Sequence, residues 1–307
     1  MTAPFAYAEM TSRNVGFVSV AEQERLRGAH VFVAGVGGMG GAALACLVRA
    51  GVGRVSLADL DVFEVSNLNR QIFADLDSIG ADKAATTAEA IAKINPECQV
   101  TVYGREWVDR LDTILPTVDV VLNCCDDARA TVTLMRRAKV HGKTVVDAFA
   151  SPLPNVYVVA PGDARPEERF GYPTVGMPVE AIDARVAAGC LAKEIEYVMV
   201  HSSSAEHIEL DLAGEMIAGK RKRMSFAPMV WSTSCLMAYE AVRVILGKPG
   251  GPGPGGIFFN PWTHRVERPH GKLRAALRRV FVRRFMRALA EGASAPRQLT
   301  SSGSRAS

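Results

Sequence analysis

The stretch that most restricts the fold is "HVFVAGVGGMGGAALACLVRAG", residues 30–51. An apolar, β-branched run leads into a cluster of glycines, and an apolar helix-forming run follows. Strand, turn and helix read directly from that order. The turn sets Gly35, Gly37 and Gly40 in the G-x-G-x-x-G spacing, with Gly38 between them. Glycines there permit a tight turn and let backbone N–H groups approach a phosphate at a helix N-terminus. Residues 31–48 are uncharged and nearly long enough for a bilayer, but five glycines fit a strand–turn–helix unit better than a membrane span.

The same rhythm continues downstream. Further strands are expected at "RVSLADLD" (54–61), "QVTVYGREW" (99–107), "VDVVLNCCDD" (118–127) and "KTVVDAFA" (143–150). Helices are expected at "DKAATTAEAIAKINP" (82–96), stopped by Pro96, and "ARATVTLMRRAKVHG" (128–142). Alternation of this kind predicts an α/β protein with a doubly wound, mostly parallel, Rossmann-like sheet. N-terminal helices precede the sheet and an irregular C-terminal part follows it. Beyond Pro152 come a strand at 153–163, a mixed region over 163–228 with one helix at 181–200, and an apolar helix over 227–247 closed by Gly247. A turn-rich linker and a short strand, "GIFFNPW", lead to the basic tail. At 307 residues and 48% hydrophobic composition, one large domain over 1–268 has ample core, with 163–224 as its variable part. Residues 269–307 form a basic amphipathic helix and a flexible tail.

The segment "DLDVFEVSNLNRQ" (59–71) narrows the ligand. Asp59 ends a strand, where a carboxylate accepts hydrogen bonds from ribose hydroxyls, and this suits NAD, FAD or ATP equally. Arg70 and Gln71, with Asn67 and Asn69, would surround a chain of phosphates and stabilise charge moving onto pyrophosphate. Lys83, opening the next helix, adds a point charge. Asp126, after the strand "VDVVLNCC", can hold Mg²⁺ that bridges phosphate oxygens. The set fits nucleotidyl transfer.

Together "VFVAGVGGMGG", "DLDVFEVSNLNRQ", "GADKAATTAEAIAKINP" and "VLNCCDD" resemble the adenylation domain of the ubiquitin-activating-enzyme superfamily, the ThiF/MoeB/HesA group. "TSRNVGFVSVAEQERLRGAHV" resembles its entry helices, and "APMVWSTSCLMAYEAVRVILG" its late core helix. The resemblance implies an ATP-dependent adenylyltransferase in which a carboxylate attacks the α-phosphate, giving an acyl-adenylate and pyrophosphate. It implies nucleotide contacts from Gly35, Gly37, Gly38, Gly40, Asp59, Asp61, Ser66, Asn67, Leu68, Asn69, Arg70, Gln71, Lys83, Asp126 and Asp127. Asp126 is the implied magnesium ligand. Arg13 matches an arginine inserted into the partner subunit's ATP site, so a homodimer is implied, with Arg13, Arg70, Lys83 and Asp126 as the catalytic set. Paired C-x-x-C zinc ligands are missing, so no structural zinc is expected, and Asp127 stands where asparagine is common. Residues 163–224 match nothing, and substrate identity runs out there.

Several readings remain open. The acceptor carboxylate belongs to a small ubiquitin-like protein or a peptide, or it is carried on a modified tRNA that a threonylcarbamoyladenosine dehydratase-like cyclase would close. An NAD(P)-dependent oxidoreductase is favoured only by the glycine loop, and a non-catalytic nucleotide-binding subunit is the fourth reading. Cys190 sits in an amphipathic helix and reads as packing rather than as a thioester-forming thiol. Cys46 and Cys235 read as core, Cys124 and Cys125 end a strand beside Asp126, and His201 and His207 lack metal-ligand spacing. With no signal-peptide pattern and no disulfide framework, a cytoplasmic protein is expected. The tail helix (271–292) carries Leu273, Leu277, Val280, Phe281 and Met286 among seven Lys/Arg residues. It could lie on an anionic membrane, bind RNA, dock a partner or pack on its own domain.

Overall fold

The computed structural model describes residues 4–217 and 220–290. Two N-terminal helices, α1 (Tyr7–Met10) and α2 (Val20–Gly28), precede β1 (His30–Ala34), α3 (Gly38–Arg49) and β2 (Arg54–Ala58). Then follow α4 (Lys83–Ile94), β3 (Gln99–Tyr103), α5 (Leu111–Ile114), β4 (Val120–Asn123), α6 (Ala128–Val140), β5 (Val145–Asp147) and β6 (Asn155–Val159). The C-terminal part contains α7 (Pro166–Phe170), α8 (Ala184–His201), α9 (Leu210–Ile217), α10 (Ala227–Ile245), β7 (Ile257–Asn260), β8 (Arg265–Glu267) and α11 (Lys272–Ala290).

Eight strands form one sheet in the order β3-β2-β1-β4-β5-β6-β7-β8. The first five run parallel, and β6, β7 and β8 join antiparallel. Val31, Phe32 and Val33 of β1 are fully buried, as a central parallel strand covered on both faces requires. Val31 pairs with Val55 on one side and Val120 on the other, so strand order reverses around β1. That reversal opens a crevice at the strand ends.

Helices cover both faces. On one, Leu44 and Leu47 of α3 meet Met237, Ala238 and Ala241 of α10, and small residues let those helices approach closely. On the other, Trp107, Leu111, Ile114, Leu134 and Met135 form a second core. The N-terminal helices satisfy the carbonyl groups that the end of α3 leaves open: Tyr7 Oη donates to Gly51 O (2.7 Å) and Gln23 Nε2 to Ala50 O (2.9 Å). Among the described residues no helix is long and apolar enough to cross a membrane.

Four sequence expectations need adjustment. Cys235, read as core, is exposed on α10. The strand expected over 99–107 ends at Tyr103, because Gly104 breaks it and Arg105–Trp107 turn inward as a 3-10 turn that buries Trp107. The mixed region holds three helices rather than one, α8 being the longest. In α11, the face that packs is Ala275, Val282 and Phe285, with Met286, against Met199 and Val200 of α8. Leu273, Leu277, Val280 and Phe281 are exposed instead. Arg278 fixes that rotation by donating to Met199 O (3.1 Å) and Ser202 O (3.0 Å), closing the carbonyl end of α8. The tail beyond residue 290 lies outside the described residues.

A Cβ on Gly40 would stand 1.9 Å from Gly35 O. Gly40→Ala should therefore lose about 1–3 kcal/mol in chemical denaturation, as overpacked cores do. An unchanged denaturation midpoint would show that the loop and α3 are not in this close contact.

Candidate active site

A cavity of about 1280 Å³ opens at the ends of β1, β2 and β4. Its floor is the glycine turn. Gly35 has φ +89° and would place a Cβ 2.5 Å from Cys124 O, so both conformation and space demand glycine. A Cβ on Gly38 would meet Val230 at 3.0 Å and Arg70 at 3.4 Å, which keeps the N-terminus of α3 bare.

Asp59 holds the turn to β2. Its Oδ2 accepts from Val36 N (2.8 Å) and its Oδ1 from Asp61 N (3.0 Å). Burial nevertheless pushes its carboxyl above the usual range, outweighing those bonds. Asp61 in turn pairs with Lys83 Nζ at 2.9 Å, aiming a nearly buried ammonium into the cavity. The Arg70 guanidinium is oriented by Ser66 O and Asn69 Oδ1, both at 2.9 Å, while Trp231 Nε1 donates to Arg70 O (2.8 Å).

Of the residues singled out in the sequence, Gly35, Gly37, Gly38, Asp59, Asp61, Asn67, Arg70, Gln71, Lys83, Asp126 and Asp127 line this one cavity. Five do not. Gly40 is occupied with packing, Ser66 and Asn69 orient Arg70, and Leu68 closes the 3-10 turn through its N–H to Val65 O. Arg13 is exposed in the Ser12–Asn14 turn, away from its own chain's cavity. Asp127 lines the wall, but its Oδ1 caps α6 through Ala130 N (2.6 Å).

Sequence reasoning missed Arg223. Its Nη1 lies 2.6 Å from Asp126 Oδ1, and neighbouring Lys222 reaches Glu64 (3.5 Å). Asn69 Nδ2 donates to Ser225 O at 3.0 Å. Residues 222–225 therefore strap the mouth of the cavity, and Met224 and Phe226 line it. The cation run "KRKR" (220–223) was the available signal, but a charge run carries no information about the acid it will meet, here 97 residues away.

The donors and acceptors suit a nucleotide. Gln71 is buried beside Gly37, and its Oε1 has no partner. Beyond the glycine turn the cavity continues along Phe149–Pro152, Ile195 and Trp262, room for a second substrate. Among the described residues no three His, Cys, Asp or Glu side chains cluster as a metal cage. The thiols nearby are not poised as nucleophiles. Burial pushes Cys125 up to about 11 and raises Cys124 and the buried Cys190 as well.

Known proteins supply the family and the fold. The model of the ThiF family matches residues 11–277. The chain belongs to the ThiF family. The tRNA threonylcarbamoyladenosine dehydratase of Escherichia coli K12 is 50% identical over 112 residues, covering 31% of this chain and 42% of that protein. The molybdopterin-synthase adenylyltransferase of Salmonella typhimurium is 39% identical over 106 residues, 34% of this chain and 43% of that protein. The adenylyltransferase and sulfurtransferase UBA4 of Eremothecium gossypii is 37% identical over 125 residues, 40% and 28% of the two chains. The chain thus spans less than half the length of each of these relatives. Among solved structures, E. coli MccB with ATP superposes over 87% of this chain and 74% of its own (TM-score 0.62, 18% identity). E. coli TcdA with AMP superposes over 81% and 98% (TM-score 0.57, 21% identity), and both share the fold.

Behind the cavity wall of this ThiF-family chain lies a buried acid. Asp147 accepts from Tyr157 Oη (2.6 Å), Asn123 Nδ2 (2.8 Å) and Ala148 N (2.7 Å). Burial still pushes its carboxyl from 3.8 up to about 7. Between those values the folded protein keeps a proton that the unfolded chain has released. Stability therefore falls as pH rises through that window, by at most about 1.4 kcal/mol per unit. Denaturation midpoints taken from pH 4 to 7 should fall more steeply for the wild type than for Asp147→Asn. Parallel profiles would mean that Asp147 titrates normally.

Proposed function

We propose that the protein adenylates a carboxylate with ATP. The observation that carries this reading is the convergence of Arg70, Lys83 and Asp126 on the cavity whose floor is the glycine turn. In the reaction a carboxylate oxygen bonds to the α-phosphorus, and the bond from that phosphorus to the bridging oxygen breaks. Pyrophosphate leaves with the electron pair, and an acyl-adenylate remains. The bare N-terminus of α3 offers backbone N–H groups to phosphate, and Asp59 retains lone pairs for ribose hydroxyls. Arg70 and Lys83 offset the charge that accumulates on the leaving pyrophosphate. No enzyme thiol is needed for this step, because the substrate supplies the nucleophile.

Asp126 fits Mg²⁺, which commonly takes one or two carboxylates together with substrate phosphates rather than a full protein cage. Bound there, the ion would neutralise phosphate charge. Arg223 pairs with that carboxylate at 2.6 Å, so it would yield or share Asp126 with a bound metal and nucleotide.

The proposal includes a homodimer in the cytoplasm. Phe17 is 90% exposed, and Val15 and Val20 beside it are largely bare, an apolar patch surrounding the turn that carries Arg13. A second copy covering that patch would bring Arg13 to its partner's phosphates, an arginine finger in trans.

Two carboxylate sources remain, sharing the same first step. One is the C-terminus of a ubiquitin-like protein or peptide. The other is a carboxylate on modified tRNA whose adenylate is then closed into a ring. The stretch shared with the tRNA dehydratase supports the second and the stretches shared with the adenylyltransferases support the first, and the continuation of the cavity past Ile195 toward Trp262 suits either.

ATP with Mg²⁺ should raise the melting temperature by several degrees, since a ligand bound only by the folded state stabilises it, and NAD(P)H should not. ATP–pyrophosphate exchange with the correct carboxylate should fall at least about 100-fold in Arg70→Ala and Asp126→Ala, and survive in Cys190→Ala. A thermal response to NAD(P)H alone would sink the reading. Nucleotide binding without exchange, with both carboxylate sources supplied, would identify a non-catalytic subunit.

Arg13→Ala and Asp126→Ala should each be inactive alone. Mixed and allowed to exchange subunits, they should recover partial activity, because one site of the mixed dimer keeps both residues. A mixture that stays dead, with exchange demonstrated, would confine Arg13 to its own chain.

A further inference from the structure

Helix α11 is apolar on two opposite faces, and only one of them is covered. Ala275, Val282 and Phe285 pack on α8, whereas Leu273, Leu277, Val280 and Phe281 are 86%, 67%, 61% and 64% exposed. Their spacing of i, i+4, i+7 and i+8 makes one continuous stripe on the solvent side. Arg284 extends the same line by one more helical turn, and Lys272, Arg274 and Arg283 flank it.

The charge on this helix is one-sided. Residues 272–290 contain seven Lys and Arg and no Asp or Glu. Arg279 and Arg283 are held by Glu196 of α8 at 3.3 and 2.9 Å, and Arg278 is buried against the end of that helix. Lys272, Arg274 and Arg284 have no ion pair among the described residues. A solvent-facing apolar stripe bordered by unpaired cations is the arrangement of a helix that rests in a membrane interface.

The other occupants fit less well. Residues 291–307 offer a single large apolar side chain, Leu299, too little to cover four. A second copy laid antiparallel along this face would set cations against cations with no acid on either helix. RNA would use the arginines but gains little from four exposed aliphatic and aromatic side chains presented on a helix.

We propose that α11 docks the protein on an anionic lipid surface, with Leu273, Leu277, Val280 and Phe281 entering the headgroup boundary and Lys272, Arg274 and Arg284 meeting lipid phosphates. The inference is independent of the proposed reaction, because none of these residues lines the active-site cavity.

Sedimentation of the full chain with vesicles tests it. Phosphatidylglycerol–phosphatidylcholine vesicles should carry the protein down, pure phosphatidylcholine should carry far less, and high salt should release much of it. The double variant Leu277→Asp, Phe281→Asp should bind about tenfold more weakly or worse, with unchanged circular dichroism and nucleotide-induced thermal shift. Arg274→Glu with Arg284→Glu should weaken binding only to the anionic vesicles, and it serves if the first variant fails to fold. Absence of vesicle binding, or equal binding by the Asp variant, would overturn the proposal. So would binding to an RNA duplex that ignores the Asp substitutions while vesicles are ignored, which would mark a nucleic-acid face. A chain that loses vesicle binding but keeps nucleotide binding, and one that does the reverse, separate this inference from the catalytic one.

Discussion

Everything at the active site depends on how closely the turn after β1 approaches its neighbours. Gly35 lies against the carbonyl of Cys124, and Gly40 lies against the carbonyl of Gly35. Those contacts leave no room for side chains, and they fix the start of α3 where β1 and β4 diverge. Asp59 completes the arrangement by tying the turn's Val36 N–H to the end of β2. Its carboxyl is a structural acceptor for the turn, and burial raises its pKa, outweighing the two backbone bonds and the attraction of Lys83.

From that fixed floor the charges are arranged in pairs. Lys83 leans on Asp61, Arg70 on backbone and amide oxygens, and Asp126 on Arg223. Side chains held in this way are pre-oriented, which reduces the reorganisation demanded when phosphates arrive. The pairs differ in what they ask of a ligand. Arg70 can swing to phosphate at the loss of neutral hydrogen bonds, whereas freeing Asp126 means breaking a 2.6 Å ion pair between exposed groups. Exposed pairs contribute little net stability, so this strap can open without a large penalty.

Much of this was legible in the sequence, and the limits follow from range. The glycine turn and "SNLNRQ" are local, and each residue's position is fixed by its neighbours within a few places, so their meeting on one cavity follows from the βαβ order. Asp126 was legible for the same reason, lying three residues past the end of β4. Arg223 was not, because its partner is distant and the region between has no repeating pattern. Ser66 and Asn69 read as phosphate contacts, whereas here the Ser66 carbonyl and the Asn69 side chain accept from Arg70, contacts that depend on how this turn places Arg70 over them. For α11 the apolar residues were visible, yet two stripes of comparable size offered two rotations, and Arg278's bonds to the end of α8 decided between them.

Helix α8 links the two surfaces that these arguments concern. Glu194 accepts from Ala150 N (2.5 Å) and Tyr172 Oη (3.1 Å), bracing the Phe149–Pro152 wall, and Ile195 lines the cavity itself. One residue on, Glu196 holds Arg279 and Arg283 of α11, and Met199 and Val200 pack beneath its inner face. A surface that fixes α11 therefore acts on the helix that shapes the substrate end of the cavity. Contiguity alone does not make that a signal, since coupling needs an element with two arrangements that both sites bias. The strap over Asp126 touches both ends of the cavity: it is tied to Asn69 and Glu64, and its Met224 and Phe226 line the cavity together with Ile195. That strap is held by exposed ion pairs and one hydrogen bond rather than by a core, so it is the part of the cavity wall that opens most easily.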